Sequence, residues 1–321
     1  MGTEPCPSRS ILTPYDGAHH SLPGGCPKAL ATFSGDTSGL VAYSFNSLGF
    51  RGEEFEPAAV RHLFVSGCSI AFGLGLDYED AWVSVFRRAY AEIHGISTGD
   101  VNLQNFSTSG CGNGYISRTL IGQCTRFRPS LALATLTFPD RAELLHAGRS
   151  YNIGRWCLKD SFDEGMEADG HHQELRQLIR RKAQAHYDLY TLLAGEQDLL
   201  KNALLLQWFF ESRGLPYLLG IVRTGEGQLP SHERLAPWCS LLDPERVFAI
   251  PLQECLVDVS ASPWHPGPEG SRVIAEKFLC RYRALYATPA TAAAEAAAGL
   301  GSNRAPGVMT THEDPNVYPL F

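Results

Sequence analysis

The chain contains no pair of cysteines at metal-binding or redox spacing. Its nine cysteines (Cys6, Cys26, Cys68, Cys111, Cys124, Cys157, Cys239, Cys255 and Cys280) include no Cys-x-x-Cys, and no histidines stand at paired-ligand spacing. Neither a zinc site nor a disulfide framework is signalled, so no metal or cofactor is expected, and reduced thiols fit a cytoplasmic protein. Long apolar runs are also missing, which excludes a transmembrane segment. The start, Met1-Gly2-Thr3-Glu4-Pro5-Cys6, lacks the basic flank and apolar run of a signal peptide. It fails the myristoylation pattern as well, since Cys6 stands where Ser or Thr is required. Positive charge is sparse, with 27 Lys and Arg against 34 Asp and Glu and a net charge of −7. The densest basic cluster, Arg180-Arg181-Lys182, lies within a helical pattern and reads as a solvated face, so nucleic acid is not an expected partner.

With 44% hydrophobic and 10% aromatic residues in 321, the chain can bury a substantial core. Residues 1–40, rich in Gly, Pro, Ser and Thr, read as an irregular lead-in, and 288–321 as an Ala-rich tail carrying Pro306, Pro315 and Pro319. Between them, 41–287 alternates strand and helix. Val41–Asn46 alternates as a strand would, and His62–Val65, Val101–Phe106, Leu131–Thr137, Pro216–Val222 and Arg246–Ile250 supply apolar strand runs. Trp82, Val85, Phe86, Ala89, Tyr90 and Ile93 recur at helical spacing between Asp80, an N-cap candidate, and Gly95, a C-cap candidate. Residues 174–213 predict one or two long helices stopped by Gly214, and Gly270 to about Leu285 a closing helix. This alternation predicts a three-layer α/β/α domain on a mainly parallel five-stranded sheet of flavodoxin-like type.

In such a sheet the loops at the carboxyl ends of the strands converge on one edge. The first run ends in Ser66-Gly67-Cys68-Ser69, the second in Ser107-Thr108-Ser109-Gly110-Cys111-Gly112-Asn113, the third in Phe138-Pro139-Asp140-Arg141, and Trp264-His265-Pro266 follows the last. A serine needs a base to lose its proton, and a loop histidine between prolines can serve, so Ser69 and His265 are the candidate nucleophile and base. Each segment also has a plain reading: Gly-x-Ser as an ordinary turn, Trp-His-Pro as a packed loop, and Asp140–Glu143 as a capped helix start. What favours chemistry is their order along one α/β chain.

In these segments the chain resembles the SGNH, or GDSL-like, hydrolase family. Gly67-Cys68-Ser69 with Gly73 is similar to the first block of that family, with Cys68 where it has aspartate. Asn105–Gly110 is similar to the second, whose last glycine lends an N–H to the oxyanion hole, and His265 to the general base of the last block. Asn46-Ser47-Leu48-Gly49-Phe50-Arg51 resembles a lead-in that many members carry. The resemblance implies a serine hydrolase of acyl esters, esterase-, lipase- or deacetylase-like, with a small-molecule substrate and with Ser69, Gly110 and a side chain holding the oxyanion. The chain departs from the family twice. Its third block has Pro139 where the family has an asparagine donor, leaving Asn113 first and Arg141 second as replacements. Ser262 occupies the place of the orienting aspartate three residues before the histidine, with Asp258 lying seven before. Cys68 is either a small residue filling the place of the missing aspartate or a thiol nucleophile. An acyltransferase using the same Ser-His site, or a non-catalytic binding protein on the same fold, are the alternative functions. His146–His172, rich in Gly and aromatics, is expected to cap the pocket. The oligomeric state is not legible.

Overall fold

The computed structural model describes residues 41, 43–146, 149–159, 173–224, 229–230, 232–262 and 264–287, so the expected lead-in and tail lie outside the described residues. In chain order the elements are β1 (Arg61–Gly67), α1 (Ser69–Phe72), α2 (Trp82–His94), β2 (Val101–Asn105), α3 (Asn113–Arg126), β3 (Leu131–Leu136), β4 (Ala142–His146) and β5 (Arg149–Ile153). They continue as α4 (Gln173–Leu189), α5 (Leu192–Arg213), β6 (Tyr217–Arg223), α6 (Ala236–Cys239), β7 (Val247–Pro251), α7 (Leu252–Cys255) and α8 (Pro268–Tyr286).

Five strands form one parallel sheet in the order β2-β1-β3-β6-β7. Successive side chains of a strand point to opposite faces, and both faces are covered. Phe64, Ala132, Ala134 and Leu219 pack with α3 and α5, while Leu63, Val65, Leu133 and Leu218 pack with α2 and α8. Burial on both faces explains why β1 and β3 read as unbroken apolar runs instead of alternating. The strand order reverses between β1 and β3, so the loops carrying Ser69 and Arg141 flank the point at which open α/β sheets bind ligands.

Two local expectations are corrected. Among the described residues of 41–46 no strand forms; Phe45 pairs with Arg51 in an isolated bridge, because the turn between them brings the chain straight back. Ala81, not Asp80, is the N-cap of α2: Asp80 closes a short 3-10 turn over Tyr78–Asp80, and the extended backbone at Ala81 starts the helix without a side-chain cap. Gly95 does end α2 in the left-handed conformation.

The lead-in 46–51 has a mechanical role. Asn46 Oδ1 accepts from the N–H groups of Leu48 and Phe50, and its amide donates to Glu53 O. The resulting turn aims Arg51 beneath the loop that follows Ser69. There the buried guanidinium donates to the carbonyls of Phe72 (2.9 Å), Gly73 (2.6 Å) and Leu76 (2.6 Å) and lies over the rings of Tyr43, Phe72 and Tyr78. Burial lowers its pKa to about 10, so it remains a cation at neutral pH. A second tie runs from this loop to the one bearing His265: Ser260 Oγ donates to Leu74 O (2.9 Å) and Ala261 N–H to Gly75 O (3.0 Å). Gly75 permits this approach, since its φ is +76° and a Cβ there would stand 2.3 Å from Ser262 N.

Arg51→Met keeps length and packing but strands the carbonyls of Phe72 and Leu76 and takes one of two donors from that of Gly73. It is expected to cost about 3 kcal/mol or more in urea unfolding, because each buried unsatisfied polar group costs about 1–3 kcal/mol. A loss below about 1 kcal/mol would contradict this role for Arg51.

Candidate active site

Ser69 opens α1 directly after β1, at the carboxyl edge of the sheet. Its Oγ lies 2.8 Å from His265 Nε2, and His265 Nδ1 lies 3.3 Å from Ser262 Oγ. With Nε2 accepting from the Ser69 hydroxyl, the ring proton sits on Nδ1 and donates to Ser262 Oγ. The base is fixed through its main chain as well, its N–H donating to Ser262 O (3.3 Å) and its carbonyl accepting from Ser260 N–H (2.9 Å). The neighbouring Trp264 pays for this placement with a φ of +66°, uncommon for so large a side chain.

Asp258 does not reach the histidine. Its two carboxylate oxygens accept from the N–H groups of Glu269 (3.0 Å) and Gly270 (2.8 Å), closing the first turn of α8. Asp258, the second candidate orienter seven residues before the histidine, thus serves the helix, and the buried Ser262 hydroxyl stands behind the ring. A hydroxyl can fix the tautomer but has no charge to offset an imidazolium.

Asn113 is also committed elsewhere. Its Oδ1 accepts from Thr137 N–H (2.7 Å) and its Nδ2 donates to Thr137 O (3.2 Å), which clamps the start of α3 to the end of β3. Its oxygen and one of its two Nδ2 protons are thus used on main chain, which fixes the orientation of this buried carboxamide. Gly110 adopts a φ of +79° with the Trp156 ring laid against it, so that a Cβ would stand 2.9 Å from the indole.

Cys68 is buried, with Arg141 Nη1 in close contact with its Sγ and Ser69 Oγ 3.7 Å away. Burial by itself would push this thiol up. Hydrogen bonding with Cys111, the charge of Arg141 and hydrogen bonds with Ser69 outweigh that and hold Cys68 well below the ordinary thiol range. Cys111, buried and hydrogen-bonded to Cys68, is pushed well above it. Arg141 in turn is held between aromatic rings, 5.2 Å from the centroid of Phe138 and 5.5 Å from that of Trp156.

Arg141 leads into β4, not a helix. β4 and β5 form an antiparallel hairpin fastened by an Arg118–Glu143 ion pair (2.5 Å) and by Asn152 Nδ2 donating to Ser109 O (2.9 Å). Within the segment expected to cap the pocket, 149–159 runs through β5 into a 3-10 turn over Arg155–Leu158, while 147–148 and 160–172 lie outside the described residues. That turn brings Arg155 and Trp156 to a cavity of about 490 Å³, lined also by Phe138, Asp140, Arg141 and Tyr190. Neither Arg155 nor Trp156 was marked by a motif; only the aromatic content of the segment pointed toward the pocket. Among the described residues no group of three or more His, Cys, Asp or Glu is arranged to hold a metal, and no helix is long and apolar enough to cross a membrane.

No family model matches the chain, and no curated protein is significantly similar to it. Among solved structures it is similar to one described as TesA, with 16% identity over 70% of this chain and 99% of that one and a TM-score of 0.40. It is also similar to the psychrotrophic esterase EstA from Pseudoalteromonas sp. (13%, 70% and 97%, TM-score 0.39). A member of the lipolytic protein G-D-S-L family from Veillonella parvula follows (14%, 68% and 96%, TM-score 0.33). Similarity this distant assigns no role to any residue of this chain.

If Asn113 is a clamp, Asn113→Ala leaves the Thr137 amide and carbonyl unpaired and is expected to lower stability by about 2 kcal/mol in chemical denaturation. An unchanged unfolding midpoint would contradict the clamp.

Proposed function

We propose that this protein cleaves acyl esters through a covalent acyl-serine. The observation that carries the reading is the 2.8 Å contact of Ser69 Oγ with His265 Nε2, with Ser262 behind the ring, at the carboxyl edge of a parallel sheet. His265 Nε2 takes the hydroxyl proton as Oγ attacks the ester carbonyl, and the imidazolium then returns that proton to the departing alkoxide. Water repeats the sequence on the acyl-serine and regenerates the enzyme.

Charge developing on the carbonyl oxygen needs donors. The main-chain N–H groups of Ser69 and Gly110 are two. For the third, Pro139 has no N–H and the Asn113 amide is oriented toward Thr137, whereas the Arg141 guanidinium touches the thiol that stands 3.7 Å from Ser69 Oγ. Arg141 therefore takes the part in this reading, with Cys68 and the flanking rings of Phe138 and Trp156 fixing its position. His265 Nε2 meets the Ser69 hydroxyl and Cys68 faces Arg141, which supports serine over thiol as the nucleophile.

Turnover of p-nitrophenyl butyrate tests the assignment. Ser69→Ala and His265→Ala should each abolish it, and the double variant should be no worse than either single one, because the two act as a unit. Arg141→Ala should lower kcat by about 100-fold or more with little change in KM, the signature of a donor used mainly in the transition state. Arg141→Lys, which keeps the charge and loses the planar fork, should recover only part of this. Retained activity in Ser69→Ala with loss in Cys68→Ala would make the thiol the nucleophile and overturn the assignment.

A further inference from the structure

Beyond Arg141 the cavity presents a second cation that acyl-serine chemistry does not use. The guanidinium carbon of Arg155 lies over the Tyr187 ring, 4.9 Å from its centroid, and Tyr187 is itself held by its hydroxyl donating to Asp140 O (2.9 Å). Among the described residues Arg155 has one ion pair, from Nε to Asp140 Oδ2 at 3.6 Å, and with 72% of the arginine side chain exposed it is a weak tie. Its two terminal nitrogens, the fork that matches an oxyanion bidentately, have no partner among the described residues.

The remaining walls favour the same kind of occupant. Trp156 and Phe138 offer apolar faces, and the two arginines outnumber the one carboxylate, Asp140. Arg141 and Trp156 form the boundary toward the nucleophile, through the contact of Arg141 with Cys68 and the indole laid against Gly110. A space of about 490 Å³ is far more than a two-carbon acyl group fills. Resting on the acyl-serine reading, we propose that the substrate is an ester whose non-reacting part ends in a carboxylate or phosphate, bound by the Arg155 fork, with its body against Trp156 and Phe138.

p-Nitrophenyl monoesters of succinic, glutaric and adipic acids, compared with uncharged butyrate, valerate and hexanoate esters of matched length, read the site directly. The ratio of kcat/KM, anionic over neutral, should exceed one, peak at one chain length and fall with added salt. In Arg155→Gln it should drop about fivefold, a modest effect because the guanidinium is partly solvated. Free glutarate and inorganic phosphate as competitors of the neutral ester decide which oxyanion is preferred. Calorimetric binding of monoethyl glutarate to Ser69→Ala, with and without Arg155→Gln, needs no turnover and should weaken by a similar factor. Neutral esters cleaved with no anionic preference, and binding indifferent to Arg155, overturn this inference and leave the hydrolase standing. No cleavage of any ester, with binding that depends on Arg155, removes the hydrolase reading and keeps the anion site.

Discussion

Ser69 and His265 are separated by 196 residues, and they meet because two loops are stitched together by one side-chain and one main-chain hydrogen bond. The bonds from Ser260 and Ala261 to the carbonyls of Leu74 and Gly75 set the distance between the nucleophile turn and the histidine loop. Arg51 fixes the other side of the same turn, holding three carbonyls, of which those of Phe72 and Leu76 would otherwise have no donor. Contact at 2.8 Å between a side chain at the start of a one-turn helix and one on a loop requires such bracing, since loops left to themselves sample wider geometries. The strain at Trp264 and the close approach at Gly75 are local costs of this arrangement.

The polar groups around the pair differ from the residues that the family resemblance implies, and they differ together. A hydroxyl replaces the orienting carboxylate, a thiol replaces the aspartate before the serine, and a guanidinium stands at the edge where an amide donor would be. These changes are electrostatically linked. The Cys68 thiol, held low by its hydrogen bond with Cys111 and by the charge of Arg141, touches that cation beside Ser69, and the guanidinium also lies over the rings of Phe138 and Trp156. The same guanidinium touches Cys68 beside Ser69 and lines the wider cavity.

Much of the scaffold was legible in the sequence because burial imposes simple patterns. Doubly covered strands read as apolar runs, and α2 and α8 show a helical apolar stripe. Where pattern failed, long-range hydrogen bonding had decided the outcome. Asp258 and Asn113 look like functional polar residues, but one closes a helix and the other clamps a strand end, and neither partner is visible from local sequence. The hairpin at 142–153 was missed because its polar and apolar residues show no clean alternation and its stability comes from ties to Arg118 and Ser109. Asn46–Arg51 was noticed only as a resemblance; its reason appears once the Arg51 side chain is seen 21–25 residues further along, under the nucleophile loop.

The account centres on a Ser69 hydroxyl made nucleophilic by His265, and covalent trapping tests this most directly. After incubation with a fluorophosphonate, mass spectrometry of the digested protein should place one phosphonyl adduct on the peptide carrying Ser69, with labelling lost in His265→Ala although the serine is present. Labelling on Cys68, or equal labelling of Ser69 with and without His265, would contradict it.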